Sequence, residues 1–308
     1  MSSSFKNQTI TTTKRETKMK KTLLALLSAV LLITVTQPAQ AEDQKVLAII
    51  DTAIDSKQFP QVIHEVCFNT YTASCPNGQK NMEGLGAANL KSWPQSLNTT
   101  AAYHGDWMVK AALKTDPTIK IVFIRYVEVS TSGAYRNDAE SLVSAIDWVS
   151  KNAEKYSIDA LSISQSSLSL PTWCTANKTT INAVSLLNSK NVPVFAATGN
   201  NAQANAVGFP SCVSGVIGVG ALNKSKTGFE KATNGQATVN PGLDVATFGA
   251  IEIHKGTMLG AKFDLAGSSG ATVVSATTYL KNNTSRTFQE YLNVLPKIII
   301  NKVSYINN

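Results

Sequence analysis

The sequence lacks an apolar run long enough to cross a membrane as a helix. Its run Leu23–Val35 is shorter than the roughly 20 residues that a span needs. Lys20 and Lys21 precede this run, and Ala39-Gln40-Ala41 follows it. A basic segment, an apolar segment and small residues around one position indicate a bacterial-type secretory signal peptide. We therefore expect residues 1–41 to be an N-terminal extension and a cleaved signal. We also expect no stable membrane anchor, and export to the periplasm or the cell exterior.

The rest of the chain lacks a strong excess of charge of either sign. Residues 1–41 hold six of the 28 basic residues and one of the 20 acidic residues, so residues 42–308 hold 22 basic and 19 acidic residues. The net charge falls from +8 for the whole chain to +3. A charge this small does not favour a nucleic-acid partner. The remaining 267 residues suit one α/β domain of about 250 residues as well as two small ones.

Cysteine is scarce, and no two cysteines have the Cys-x-x-Cys spacing that is common in zinc sites. The four cysteines are Cys67, Cys75, Cys174 and Cys212. An even number in an exported chain favours disulfide bonds, although four cysteines allow three pairings. Nearness in sequence favours Cys67 with Cys75, and Cys174 with Cys212. No histidine cluster accompanies the cysteines, so we predict no metal site and no cofactor.

Short apolar segments alternate with segments of helical spacing after residue 45. We expect residues 56–100 to form an irregular surface excursion that one disulfide holds. The alternation predicts an α/β fold, with a doubly wound, mostly parallel sheet and helices on both faces. The expected strands are Val46–Ile50, Ile119–Val127, Leu161–Ile163, Val192–Ala197 and Val216–Val219, and the expected helices follow Gly105, span Asp138–Asn152 and begin near Asn182.

Four side chains suited to serine hydrolysis lie at the expected ends of strands or helices. Asp51 ends the first strand, His104 precedes the first helix, Asn200 follows a later strand, and Ser269 begins a helix of small residues. Each residue alone is more often a cap or turn residue. Together they supply an orienting carboxylate, a base, an oxyanion donor and a hydroxyl nucleophile. Sites in open α/β sheets lie at the C-terminal ends of strands, where these residues are expected.

The scarcity of histidine excludes a competing arrangement of the same groups. The chain has three histidines, His64, His104 and His254, and none follows Ser269. The order Ser, acid, His of the α/β-hydrolases is therefore impossible for Ser269, and Ala271 breaks the Gly-x-Ser-x-Gly pattern. A chymotrypsin-like arrangement would need an all-β pattern, which this sequence lacks.

These residues stand in blocks whose order and spacing resemble the subtilases, the subtilisin-like serine peptidases. The resemblance covers nearly all of residues 45–300. It implies a single subtilisin-like catalytic domain over residues 42–308, with the activity of a secreted serine-type endopeptidase and a polypeptide substrate. The blocks are Val46–Asp55, His104-Gly105, Ser132-Gly133-Ala134, Ser164-Gln165-Ser166, Ala196–Asn200, Val207–Pro210, Val216–Ala221 and Gly267-Ser268-Ser269.

The resemblance implies a catalytic role for one residue in each of four blocks. Ser269 would be the nucleophile, His104 the base and Asp51 the acid that orients the base. The side chain of Asn200 would donate a hydrogen bond to the oxyanion.

The remaining blocks would bind the substrate. The resemblance implies that Gly199 and Gly208 line the primary specificity pocket and leave room for a large side chain. It also implies a cis bond between Phe209 and Pro210. The residues expected to pair with the substrate backbone are Ser132, Gly133, Ser164, Gln165 and Ser166.

Several positions depart from the family pattern. Ser166 stands where the family has a glycine, which could narrow the pocket, and Ala53, Asp106 and Val273 also replace the usual residues. Only Glu42–Ile50 would separate the signal from Asp51, so no pro-domain is evident. We therefore expect a chain that folds unaided or with a separate folding helper or inhibitor. Two other functions stay open: an exported binding protein on a catalytically weakened subtilase fold, and a secreted esterase with the same triad.

Overall fold

The residues described by a computed structural model of the chain begin at Gln44. They are residues 44–91, 102, 104–129, 135–136, 138–222, 229, 231–235, 245–247, 251–254, 262–265, 267–282, 287, 290 and 304–306. The predicted signal peptide and the predicted substrate-binding residues Ser132 and Gly133 lie outside these residues. The length of the signal peptide, the lack of a pro-domain and the domain bounds therefore stay predictions.

Nine strands of the described residues form the main sheet, in the order β13-β10-β9-β8-β7-β1-β4-β2-β3. Their pairs are parallel apart from β2 with β3. β5 with β6 and β11 with β12 form two separate hairpins. The strands are β1 Val46–Asp51, β2 Val62–Phe68, β3 Asn81–Glu83, β4 Lys120–Arg125, β5 Glu128–Val129, β6 Tyr135–Arg136, β7 Ala160–Ile163, β8 Val194–Ala197, β9 Val216–Ala221, β10 Val245–Thr247, β11 Ile251–His254, β12 Lys262–Leu265 and β13 Ser304–Ile306.

Helices cover both faces of this sheet, as the sequence predicts. Alternate residues of a strand point to opposite faces, so Leu47 and Ile49 of β1 join one apolar cluster while Ala48 and Ile50 join the other. The first cluster includes residues of α1 and α5, and the second includes residues of α2 and α4. None of the described helices has the length and hydropathy of a membrane-crossing segment. The helices are α1 His104–Thr115, α2 Ala139–Asn152, α3 Trp173–Ala176, α4 Lys178–Ser189 and α5 Ser268–Asn282.

The structure corrects the expectation that residues 56–100 form an irregular excursion. Residues 62–68 form β2, which lies inside the sheet between β4 and β3. The polar side chains of His64 and Glu65 interrupt the apolar pattern of this strand, and only Glu65–Cys67 are buried within it. A strand that is buried over three residues has no continuous apolar run, and this is why the pattern predicted a loop.

Two disulfide bonds form the pairs that sequence nearness favours. Cys67 on β2 bonds to Cys75, with Cα atoms 5.9 Å apart. Cys174 on α3 bonds to Cys212, with Cα atoms 5.4 Å apart. The second bond joins the start of the α3–α4 segment to the loop before β9. Both Cα separations lie in the usual range for disulfides.

A buried carboxylate on β2 holds the loop that packs against the end of β1. Glu65 has 1% of its surface exposed, and its two carboxylate oxygens accept from the N–H groups of Gly86 and Ala88 at 2.9 and 3.0 Å. The carbonyl of Ala88 in turn accepts from the N–H of Ile54 at 3.2 Å. Glu65 thereby fixes a loop against the turn that follows Asp51.

We predict that Glu65→Gln lowers the free energy of unfolding by about 1–3 kcal/mol, the cost of one unpaired buried donor. The glutamine oxygen can accept from one of the two N–H groups, but its NH₂ group faces the other. Urea unfolding followed by fluorescence measures the change. Glu154→Gln is the matched control, because the Glu154 side chain is 79% exposed, and it should change stability by less than about 0.5 kcal/mol. Equal effects of the two substitutions would contradict the role of Glu65.

Candidate active site

The centre of the site is a hydrogen bond between a buried carboxylate and a histidine. Asp51 is the last residue of β1 and is fully buried. Its Oδ1 lies 2.7 Å from Nδ1 of His104 and also accepts from the N–H of Thr52 at 2.6 Å. The carboxylate acceptor assigns the ring proton to Nδ1 of His104, which leaves Nε2 of the neutral ring as an acceptor.

The start of α1 is fixed against the end of β1, which sets the position of His104. The N–H of Gly105 donates to Oγ1 of Thr52 at 2.9 Å. A Cβ atom at position 105 would lie 2.4 Å from the carbonyl oxygen of Ala53 and 2.8 Å from the ring of Phe123. Only glycine allows this approach, so the glycine after His104 brings the base within reach of the carboxylate.

The environment of His104 favours its charged form. Burial alone would lower the pKa of His104, but the charge of Asp51 and its hydrogen bond oppose this effect and raise the pKa above the ordinary value. Because the folded-state pKa is the higher one, the pair contributes stability that is fully present below the ordinary histidine pKa. That contribution is lost as the pH rises through the raised value.

A second buried carboxylate ties the first turn of α1 to the loop after β1. Asp106 has 2% of its surface exposed, and its Oδ1 accepts from the N–H of Asp55 at 2.9 Å. Burial raises the pKa of Asp106 to about 6, against the opposing effects of the Asp55 N–H and the charge of Lys110. The sequence marks Asp106 only as a departure from the family pattern, and its contact with residue 55 is visible in the structure alone.

Ser269 lies in the first turn of α5 and faces the same cleft as His104. Its hydroxyl donates to the carbonyl of Ser164 at 2.9 Å, and the hydroxyl of Ser164 donates to the carbonyl of Ser269 at 3.1 Å. This reciprocal pair attaches the start of α5 to the segment that follows β7. The cleft has a volume of about 360 Å³ and is lined by both residues and by His104, Asn200 and Gln165, among others.

The side chain of Asn200 is oriented by the residue before Ser269. Its Oδ1 accepts from the N–H of Ser268 at 2.9 Å, which leaves the Nδ2 protons free to donate elsewhere. Gly267 has φ +92°, and a Cβ there would lie 2.9–3.1 Å from three atoms of the Asn200 side chain. The hydroxyl of Ser268 accepts from the N–H of Gly199 at 3.2 Å. These contacts hold Asn200 at the edge of the cleft.

Asn234 supports the loop that carries Asn200, and sequence reasoning missed it. Its side chain is fully buried and accepts from the N–H groups of Asn201 and Gln203 at 2.9 and 3.0 Å, while its Nδ2 donates to the carbonyl of Thr198 at 3.2 Å. Its own N–H donates to the carbonyl of Gly199 at 3.0 Å. The sequence around Asn234-Gly235 indicates only a turn, and no pattern links it to residues more than 30 positions away.

The residues predicted to bind substrate fall into two groups. Ser164, Gln165, Ser166 and Gly199 line the cleft with His104 and Ser269. Gly208 is not among the described lining residues, because the hydroxyl of Ser166 occupies the space where a Cβ of residue 208 would lie. The bond between Phe209 and Pro210 is cis, as expected.

We predict that Asp51→Asn lowers the pKa of His104 below its ordinary value. The amide keeps the shape of the carboxylate but not its charge, so the effect of burial is no longer opposed. A proton–carbon NMR titration of the imidazole groups measures the change, with the His104 signal assigned from a His104→Ala sample. Glu83→Gln is the control, since Glu83 contacts His64 at 3.1 Å, and it should leave the His104 curve unchanged. An unchanged His104 curve in Asp51→Asn would refute the coupling.

Comparison with known proteins adds one relative in sequence. The chain is 27% identical to Subtilisin DY from Bacillus licheniformis over 179 residues, which are 54% of this chain and 60% of that protein. The chain thus matches less than two thirds of the length of this relative. No protein-family model matches the sequence.

Solved structures of proteases share the fold. A protease from Pseudoalteromonas arctica matches with a TM-score of 0.61 and 16% identity over 85% of each chain. A mutant of the protease domain of PatA matches with a TM-score of 0.59 and 16% identity, covering 85% of this chain and 92% of that one. A lanthipeptide protease matches with a TM-score of 0.54 and 15% identity, covering 80% and 77%. The chain is thus similar in sequence to a subtilisin over part of its length, and it shares its fold with these protease structures.

Proposed function

We propose that the protein is a serine-type endopeptidase that hydrolyses peptide bonds through an acyl-enzyme. The observation that carries the proposal is the 2.7 Å hydrogen bond between Asp51 and His104, in a cleft that Ser269 and Asn200 also line. A carboxylate, a histidine and a serine hydroxyl in one cleft are the groups that nucleophilic acyl transfer needs. The similarity to a subtilisin and the protease folds support the same reaction class.

In the proposed mechanism, the Oγ of Ser269 attacks the substrate carbonyl while Nε2 of His104 takes the hydroxyl proton. Asp51 keeps the proton of His104 on Nδ1 and stabilises the imidazolium that forms. His104 then gives its proton to the leaving amine as the peptide C–N bond breaks. Water, activated by His104 in the same way, releases the acyl group from Ser269. The Ser269 hydroxyl must first turn away from the Ser164 carbonyl to which it donates in the structure.

The oxyanion would be stabilised by two donors. The Nδ2 of Asn200 is one, because the Oδ1 of that side chain is already engaged by the N–H of Ser268. The N–H of Ser269 is the other, and the positive end of α5 adds a favourable partial charge. Ser164, Gln165 and Ser166 would contact the substrate backbone along the cleft, with Ser132 and Gly133 as the expected opposite strand.

We also propose that the protein is exported to the periplasm or the cell exterior. Disulfides persist in oxidising compartments and are rare in reducing ones, and the four cysteines of the chain form two such bonds. The basic, apolar and small-residue pattern of residues 1–41 supports a signal peptide for this route.

We predict that a fluorophosphonate probe labels the parent protein and Ser268→Ala but does not label Ser269→Ala. Ser268 is the matched control, because it is a serine next to Ser269 whose side chain is fully buried. Mass spectrometry of the labelled peptide identifies the modified residue. Equal labelling of Ser269→Ala would exclude Ser269 as the nucleophile. A folded parent protein that takes no label would instead favour an exported binding protein on this fold.

We predict that Asn200→Ala lowers kcat about 10²–10³-fold with little change in KM, as expected for a donor that acts on the oxyanion. The comparison variant is Asn201→Ala, whose side chain also lines the cleft but whose loss should reduce kcat less than tenfold. Steady-state cleavage of peptides and of p-nitrophenyl esters by the same variants separates a peptidase from an esterase. A loss in kcat no larger for Asn200→Ala than for Asn201→Ala would contradict the assignment.

A further inference from the structure

The described residues leave a space beside the proposed nucleophile for the side chain of the residue before the scissile bond. With its carbonyl carbon at Ser269 Oγ and its oxygen towards Asn200, the acyl residue lies next to the two segments that leave β7 and β8. These segments are Ser164–Ser166 and Ala197–Asn200, and both line the cleft. The space between them therefore receives the side chain on the acyl side.

The hydroxyl of Ser166 occupies the inner end of that space. It donates to the carbonyl of Thr198 at 3.1 Å, so it crosses from one segment to the other. A Cβ atom at Gly199 would lie 3.1 Å from this hydroxyl, and a Cβ at Gly208 would lie only 2.1 Å from it. The Ser166 side chain therefore fills the space that Gly199 and Gly208 would leave for a substrate side chain.

A third backbone segment, Gly208–Phe209, lies behind Ser166. Ser167 and Phe209 form a β-bridge in which each N–H donates to the carbonyl of the other at 2.9 Å. The N–H of Gly208 donates to the carbonyl of Thr198 at 3.1 Å. Because Gly208–Phe209 is hydrogen-bonded both to Ser167 and to Thr198 at this depth, a large side chain cannot pass there without breaking these hydrogen bonds.

A second side chain, that of Asn234, packs against Gly199. A Cβ atom at Gly199 would lie 2.5 Å from Nδ2 of Asn234, and this nitrogen is fixed by its hydrogen bond to Thr198. Asn234 is fully buried and is not among the described residues that line the cleft, whereas Ser166 is. Ser166 is therefore the side chain whose removal would open the pocket.

We infer that Ser166 determines the substrate class, and that the protein cleaves after residues with small side chains, namely glycine, alanine and serine. This inference rests on the proposed peptidase function. It makes Ser166 a specificity-determining residue with no part in the bond-breaking steps.

The test is a peptide series that differs only in the residue before the scissile bond, with alanine, leucine or phenylalanine there. The parent protein should have a higher kcat/KM for alanine than for phenylalanine. Ser166→Gly should raise the phenylalanine-to-alanine ratio at least tenfold, in line with the 10–200-fold discrimination that one methylene group gives in a pocket. Ser166→Val should lower the ratio further. Ser169→Ala is the matched control, because the Ser169 hydroxyl bonds to Ser167 at 2.8 Å outside the cleft, and it should leave the ratio unchanged.

A ratio in Ser166→Gly within threefold of the parent, or a parent that prefers phenylalanine, would overturn the inference. If Ser166→Gly does not fold, Ser166→Ala takes its place. Its phenylalanine-to-alanine ratio should lie between that of the parent and the value expected for Ser166→Gly. A purely structural role of the Ser166 hydroxyl would lower kcat/KM for all peptides alike and leave the ratio unchanged.

A binding measurement separates this inference from the proposed function. Fluorescein-labelled peptides that end in alanine or phenylalanine are titrated into Ser269→Ala and into Ser269→Ala with Ser166→Gly, and polarisation reports binding without catalysis. The first variant should prefer the alanine peptide, and the second should lose or reverse the preference. If the variants bind in this way but the parent protein cleaves no peptide, the proposed peptidase function is refuted and the inference about the pocket is supported. The lack of any preference, or of any binding, would overturn the pocket inference.

Discussion

The site depends on three parallel strands whose carboxyl ends lie side by side at one edge of the sheet. β7 lies between β1 and β8, so Asp51, Ser164 and Thr198 leave the sheet next to one another. Asp51 supplies a buried carboxylate. The carbonyl of Ser164 accepts from the Ser269 hydroxyl, and the carbonyl of Thr198 accepts from the Ser166 hydroxyl. The proposed base, His104, and the proposed nucleophile, Ser269, come from α1 and α5, which pack together on the same face of the sheet. His104 and Ser269, which are far apart in sequence, thereby line one cleft.

The first turn of α1 and the residue before α5 come unusually close to other parts of the chain. At position 105 a Cβ would collide with the carbonyl of Ala53, and at position 267 it would collide with the side chain of Asn200. Buried polar groups then fix the approach: Thr52 accepts from the N–H of residue 105, and Asn234 holds the loop of Asn200 through its side chain. Close contact at these glycines and the hydrogen bonds of Thr52 and Asn234 are thus two parts of one constraint.

The sequence predicts those parts of the fold and of the site that depend on local patterns of residues. The apolar run before Asp51 and the glycine after His104 mark a strand end and a helix start, and the α/β fold with helices on both faces follows from the alternation of strand and helix patterns. β2 was not predictable in this way, because its partners bury only part of it. Asn234 was not predictable either, since its partners lie more than 30 residues away. At Ser166 the sequence indicates a narrower pocket, but the occupation of the space at residue 208 is a long-range contact.

Under the proposed mechanism, the Ser269 hydroxyl proton has two alternative acceptors, the carbonyl of Ser164 and Nε2 of His104, and the protonation of His104 decides between them. In the structure the proton points to the carbonyl of Ser164. Neutral His104 can compete for it through Nε2, whereas the imidazolium form offers no lone pair. Because Asp51 raises the pKa of His104, the imidazolium persists to a higher pH than in an ordinary histidine. Under the proposed mechanism the carboxylate therefore has two opposed effects. It orients the base for attack, and it also extends the pH range over which the nucleophile rests against the end of β7.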